Sequence, residues 1–129
     1  MGAFPRSFDQ PSDITRFPNG LERLVVVAGA PVGLATFQPG WRWSNDVRPL
    51  TGTQSCPFHH VGYVLAGVLH VEPNDGPPAD LKAGDAYEIE PGHDAWVAGD
   101  TRCVLLDWGR SVREYARPFT APAHEGGSR

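Results

Sequence analysis

The stretch VGYVLAGVLHV, residues 61–71, constrains this chain more than any other feature, because it is apolar on both faces that an extended backbone presents. A strand of that kind is buried on both sides, as in a sandwich or a small barrel with an interior lined by side chains. Its even set, Gly62, Val64, Ala66 and Val68, is small, and its odd set includes Tyr63, Leu65 and Leu69. The small set predicts a cavity face, and the large set a core face. With 15 glycines and 13 prolines among 129 residues, the chain is punctuated too densely for a helical bundle. One all-β domain of ordinary size is expected.

The punctuation divides the chain. Residues 1–20 carry Pro5, Pro11, Pro18 and a closing Asn19-Gly20, and read as an extended arm ending in a turn. Phe4, Phe8, Ile14 and Phe17 are costly to leave in water, so the arm is expected to lie against the body or a second subunit. LERLVVVAG and PVGLATFQPG read as strand, turn, strand. Trp41 to Ser55 reads as irregular. Asp75-Gly76, Gly84-Asp85, Pro91-Gly92 and Gly99-Asp100 separate further strands that end at CVLLDW, giving seven or eight in all. The barrel is expected over 21–117, with a loose tail over 118–129 in which His124 is solvated.

A formal net charge of -4 leaves no basic surplus to neutralise phosphates, so nucleic acid is not an expected partner. No run approaches the roughly 18 apolar residues of a membrane span. The N-terminus lacks the apolar core of a signal peptide, and a cytoplasmic, reducing location is expected. There Cys56 and Cys103 are expected as thiols, Cys103 being packed.

Two segments carry chemistry: Cys56-Pro57-Phe58-His59-His60 and Pro91-Gly92-His93-Asp94. Strand alternation lets Cys56 and His60 face one side and His59 the other. A thiolate with two imidazoles is a borderline-soft ligand set that suits zinc first, and also iron, nickel or copper. Three such ligands leave a coordination position open, as catalytic sites need. The rival reading is a packed Cys56 and a hydrogen-bonded core His60. His59 and His70 read as satisfied or exposed strand histidines. Glu88 and Glu90 alternate with Tyr87 and Ile89 as on a half-exposed strand, not as an acid/base pair.

The order of YVLAG, an Asp-Gly hairpin and GDAYEIEPGHDAWV resembles the two motifs of the small single-domain cupins over roughly residues 31–108. PGWRWSNDV, the Cys56 to His60 spacing before GYVLAG, and PGHDAW resemble bacterial cupin-domain proteins of unassigned activity. The resemblance implies a double-stranded β-helix, or jelly-roll barrel, with a metal at its centre. Placed on the first motif, His60 falls at the carboxylate position, Cys56 at the second histidine and Gln54 at the first. In the second motif Gly84 and Gly92 match, while Glu90 takes the proline slot, Ala95 the histidine slot and Gly99 the asparagine slot. His93, two residues before Ala95, shares its strand face. The resemblance thus implies a Cys56, His60, His93 site in place of three histidines and a glutamate. Gln54 would stand near it as a neutral ligand or hydrogen-bond donor, with Tyr63, Asp94 and Trp96 shaping the mouth.

Three readings of function follow. In the first, a metal-binding enzyme acts on a small polar or carbonyl-containing molecule inside the barrel. In the second, a binding or sensing module holds a small ligand without turnover. The third is a dimeric β-domain with a dry barrel. A homodimer is expected in any case, because pairing removes exposed strand edges and gives the apolar arm a partner.

Overall fold

The computed structural model describes residues 1–108, so the tail over 118–129, His124 and the barrel's boundary at 117 lie outside the described residues. Nine strands and two one-turn helices follow in the order β1 (Asp13–Phe17), β2 (Gly20–Val27), β3 (Ala30–Phe37), α1 (Trp43–Asp46), α2 (Arg48–Thr51), β4 (His60–Ala66), β5 (Val68–Pro73), β6 (Ala79–Lys82), β7 (Ala86–Ile89), β8 (His93–Val97) and β9 (Cys103–Asp107). They form a six-stranded sheet ordered β1-β2-β3-β9-β4-β7 and a three-stranded sheet ordered β6-β5-β8, with every pairing antiparallel. The expected all-β jelly roll is the fold.

Alternation decides which side chains enter the space between the sheets. β8 and β9 both run buried, half-buried, buried, which sends His93, Ala95 and Val97 inward from one and Cys103, Leu105 and Asp107 from the other. Phe17, Phe37 and Trp41 cluster at the position where β1, β2 and β3 run in register, with the Phe37 and Trp41 rings 4.1 Å apart. Burying three such rings is the largest single apolar contribution to this end of the core.

Several sequence expectations change, beginning with the number of strands, which is nine rather than seven or eight. The run 61–71 is two strands, because Gly67, at φ 76° and with room for no Cβ (its nearest neighbour would be the Arg102 carbonyl at 2.3 Å), turns the chain from the large sheet into the small one. Crossing that bend switches the inward parity. His60, Gly62 and Val64 face in from β4, while Leu69 and Val71 face in from β5. Tyr63 and Leu65 consequently lie outside rather than in a core. Nor do the small residues line a cavity: Gly62 instead makes room for the Tyr87 side chain, which donates its hydroxyl to the Leu106 carbonyl at 3.1 Å.

The arm is shorter than residues 1–20, since Asp13–Phe17 pairs with β2 along its whole length and buries Phe17. Phe8 is half-buried and Phe4 exposed. Within the stretch expected to be irregular, α1 and α2 supply two turns. They are too short for a 3.6-residue pattern to announce them.

Candidate metal centre

Residues far apart in sequence meet here through the backbone. Cys56, just ahead of β4, forms an isolated antiparallel bridge with His93 at the start of β8. The Cys56 amide donates to the His93 carbonyl at 2.8 Å and the Gly92 amide to the Cys56 carbonyl at 2.7 Å. His60 opens β4 with its ring inward. Cys56, His60 and His93 are 1%, 8% and 3% exposed, and one ligand atom from each lies within 4.8 Å of the others. The Cys56 Sγ stands 3.5 Å from His60 Nε2, and the two imidazoles meet edge to face with centroids 5.5 Å apart.

Outer hydrogen bonds orient both rings. His93 Nδ1 lies 2.8 Å from the Glu90 carbonyl, which can only accept, so that nitrogen carries a proton and Nε2 is the nitrogen left for an ion. His60 Nδ1 donates to Asp107 Oδ2 at 3.1 Å and turns Nε2 toward the thiol. A carboxylate or carbonyl behind a ligating histidine is the arrangement metal sites use to fix tautomer and raise basicity. The donor set of one sulfur and two imidazole nitrogens therefore fits a divalent ion.

Burial by itself opposes ionisation of Cys56. Hydrogen bonds from His60 and His93 and the charge of their rings outweigh it, bringing the thiol down from 9.0 to about 6. Burial likewise opposes a charged His60, yet Asp107 and Cys56 raise it from 6.5 to about 10. Without an ion, a thiolate faces an imidazolium. Cys103 sits apart in β9, where burial pushes its thiol up to about 11, and both cysteines are free.

The other residues singled out in the sequence do not line this cavity. Gln54 is exposed in the loop before Cys56, and Tyr63 points to the outer face of the large sheet. Asp94 and Trp96 alternate with His93 and Ala95, so they face away from the cavity. Their work is mechanical: Asp94 accepts the Ser44 amide at 3.0 Å and pairs with Arg42 at 3.4 Å, while Arg42 lies 4.0 Å over the Trp96 ring. These contacts fasten the segment that carries Trp41 and Trp43 into the barrel. His59 bonds Glu88 at 2.7 Å on the exposed side, and His70 is held on the outside of β5 by Asp80 and Glu72. Ala95, in the slot where the resemblance puts a histidine, is buried on the cavity wall.

Sequence reasoning missed four polar residues of the wall: Glu22, Asp107, Trp41 and Trp43. Glu22 reads as the polar position of a half-exposed strand, yet it is 2% exposed. The signal that could have found it is its parity with the apolar Leu24. The cavity they share with the three ligand candidates offers about 40 Å³ to the centres of water-sized molecules.

Residues 51–109 match the family model described as "Cupin domain". No curated protein matches the sequence. Among solved structures, the chain is similar to a protein of unknown function from Rhizobium leguminosarum at TM-score 0.58 and 15% identity, covering 84% of this chain and 96% of that one. A double-stranded beta-helix protein from Klebsiella pneumoniae gives 0.53 and 20%, covering 83% and 89%. A cupin-like protein from Thermotoga maritima gives 0.52 and 23%, covering 88% and 84%. These likenesses show the double-sheet barrel fold across the chain, and residues 51–109 are similar to a cupin domain.

Proposed function

We propose that the protein holds a divalent ion, zinc first on ligand chemistry, at Cys56, His60 and His93 and acts there on a small polar or carbonyl-containing molecule. The observation that carries this is the convergence of three buried ligand atoms within 4.8 Å, with both imidazoles oriented from behind. A bound ion would supply Lewis acidity at an open coordination position. Around it, Asp107 holds His60, the Glu90 carbonyl holds His93, and Trp41, Trp43 and Phe37 keep bulk water out. Ala95 in the usual histidine slot favours a second reading, in which the same centre binds a ligand without turnover. Turnover of carbonyl substrates by metal-loaded protein, compared with a thermal shift alone, separates the two.

The test of the site is metal analysis of untagged protein. Wild type should carry about one ion per chain, and Cys56→Ala, His60→Ala and His93→Ala should each lose it while staying folded. Unchanged metal content with a large fall in melting temperature would mean that these residues are packing, and would sink the proposal. The partner in solution is proposed to be a second copy of this chain. Tyr63, Leu65 and Trp108 leave apolar surface on the outer face of the large sheet, where Leu34, Leu106 and Tyr63 run in register across β3, β9 and β4.

A further inference from the structure

Five buried polar atoms have no hydrogen-bond partner among the described residues: both carboxyl oxygens of Glu22, the free oxygen Oδ1 of Asp107, and the indole nitrogens of Trp41 and Trp43. All four residues line one cavity, and none is more than 4% exposed. Buried polar groups are seldom left unpaired, because each orphan forfeits the hydrogen bonds it makes in water. Five around one small space point to a ligand that pairs with them.

We infer that the wall formed by Glu22, Asp107, Trp41 and Trp43 is a receptor for a small uncharged hydroxy-carbonyl compound. The inference rests on the proposed function and names the substrate class of that same cavity. The two indole N–H groups only donate, which calls for a carbonyl or hydroxyl oxygen. Asp107 Oδ1 only accepts, which calls for a hydroxyl hydrogen. Glu22, raised by burial and then by the Asp107 charge from 4.5 to about 8, is mostly protonated at neutral pH and so offers one donor and one acceptor. That inventory suits adjacent carbonyl and hydroxyl groups.

Geometry disfavours the obvious rival, a carboxylate ligand, which has no hydrogen to offer Asp107 Oδ1 and would be buried beside that carboxylate and Glu22 in one small cavity. Size bounds the ligand too, since space for about three waters holds a molecule of only a few non-hydrogen atoms. An apolar molecule would leave every orphan unpaired.

The test uses hydroxyacetone on the full chain, as isolated and after chelation, read by tryptophan fluorescence and ligand-observed NMR, with acetone and glycolate as controls. Hydroxyacetone should saturate the protein and bind about tenfold or more tightly than either control, since a site built on hydrogen bonds rejects the analogue that lacks them. Glu22→Leu should weaken it by about tenfold, while Glu22→Gln, which keeps a donor and an acceptor, should stay within about threefold. Trp43→Phe keeps the ring and loses the N–H, and should weaken it about fivefold or more even if Glu22→Leu fails to fold. Equal binding by Glu22→Leu or Trp43→Phe, tighter binding of glycolate, or no saturable binding would overturn the inference, the last assigning the orphans to water. Elemental analysis of the same samples keeps the two readings apart. Hydroxyacetone binding by protein that carries no metal as isolated would sink the metal centre alone, and metal in the isolated protein without hydroxyacetone binding would sink the receptor alone.

Discussion

Glu22→Gln removes a titrating group from the barrel wall while nearly preserving its shape, and its effect on stability should depend on pH. The Glu22 carboxyl is raised from 4.5 to about 8, first by burial and then by the Asp107 charge, with His60 opposing. Because the folded value lies above the unfolded one, the folded state binds the proton more tightly. Wild type is therefore least penalised below pH 4.5 and loses stability as pH rises from there through about 8. At about 1.4 kcal/mol per pH unit, and with the slope fading as the folded group itself ionises, the loss between pH 5 and pH 8 is about 3 kcal/mol. The glutamine variant carries no such loss, so wild type and variant should converge near pH 5 and separate by that amount near pH 8. Urea unfolding of both chelator-treated proteins, followed by tryptophan fluorescence at four or five pH values, reads the difference directly. Parallel curves would refute the argument, because they would mean that Glu22 ionises normally and is neither desolvated nor in the field of Asp107.

Asp107→Asn replaces the charged acceptor behind His60 with a neutral amide and removes the charge acting on Glu22. It should weaken metal affinity by about 10–100-fold in chelator competition, and should make the Glu22-linked loss of stability smaller and complete at lower pH. An unchanged affinity would deny Asp107 its orienting role. Gly67→Ala places a Cβ at 2.3 Å from the Arg102 carbonyl on a backbone at φ 76°, and should cost about 2 kcal/mol or more in urea unfolding. A near-neutral result would mean that the bend between the sheets relaxes. Light scattering should give about 28 kDa, twice the 14.0 kDa chain, with Leu65→Glu reducing it to one chain mass. A monomeric wild type would exclude pairing through the large sheet's outer face.

The strands were legible because their signals are local. LERLVVV and PVGLATF alternate around Gly29, and Asp75-Gly76 and Gly84-Asp85 mark turns that the chain does make. Alternation put Cys56 and His60 on one side, and the resemblance, by placing a ligand slot at Ala95, brought in His93 on the same strand face. What failed was parity carried across Gly67, where hydropathy is uniform on both sides and only the single glycine marks the bend. That error placed Tyr63 inside. The pocket assignment of Asp94 and Trp96 failed differently, since their parity with respect to His93 already put them on the opposite face. Trp41 and Trp43 escaped notice because their position depends on Asp94 and Trp96, about fifty residues away.

The replacements within the cupin motifs form one consistent electrostatic change. A glutamate and three histidines supply one hard anionic ligand and three neutral ones, whereas Cys56, His60 and His93 supply one soft anionic ligand and two neutral ones. An ion bound here would keep one anionic ligand, on sulfur rather than oxygen, and would have one neutral ligand fewer where Ala95 stands. A carboxylate also stands behind the site, since Asp107 bonds the back of His60 at 3.1 Å. A divalent ion balanced by the Cys56 thiolate and the Asp107 carboxylate leaves the whole assembly neutral, with His60 having given up its extra proton to bind. A neutral centre has no net charge with which to draw an anion out of water into a barrel whose wall also holds Glu22. On the proposed reading the fourth position would be open to an uncharged oxygen ligand, and the unpaired groups of Glu22, Trp41 and Trp43 would be the hydrogen-bonding partners that select it.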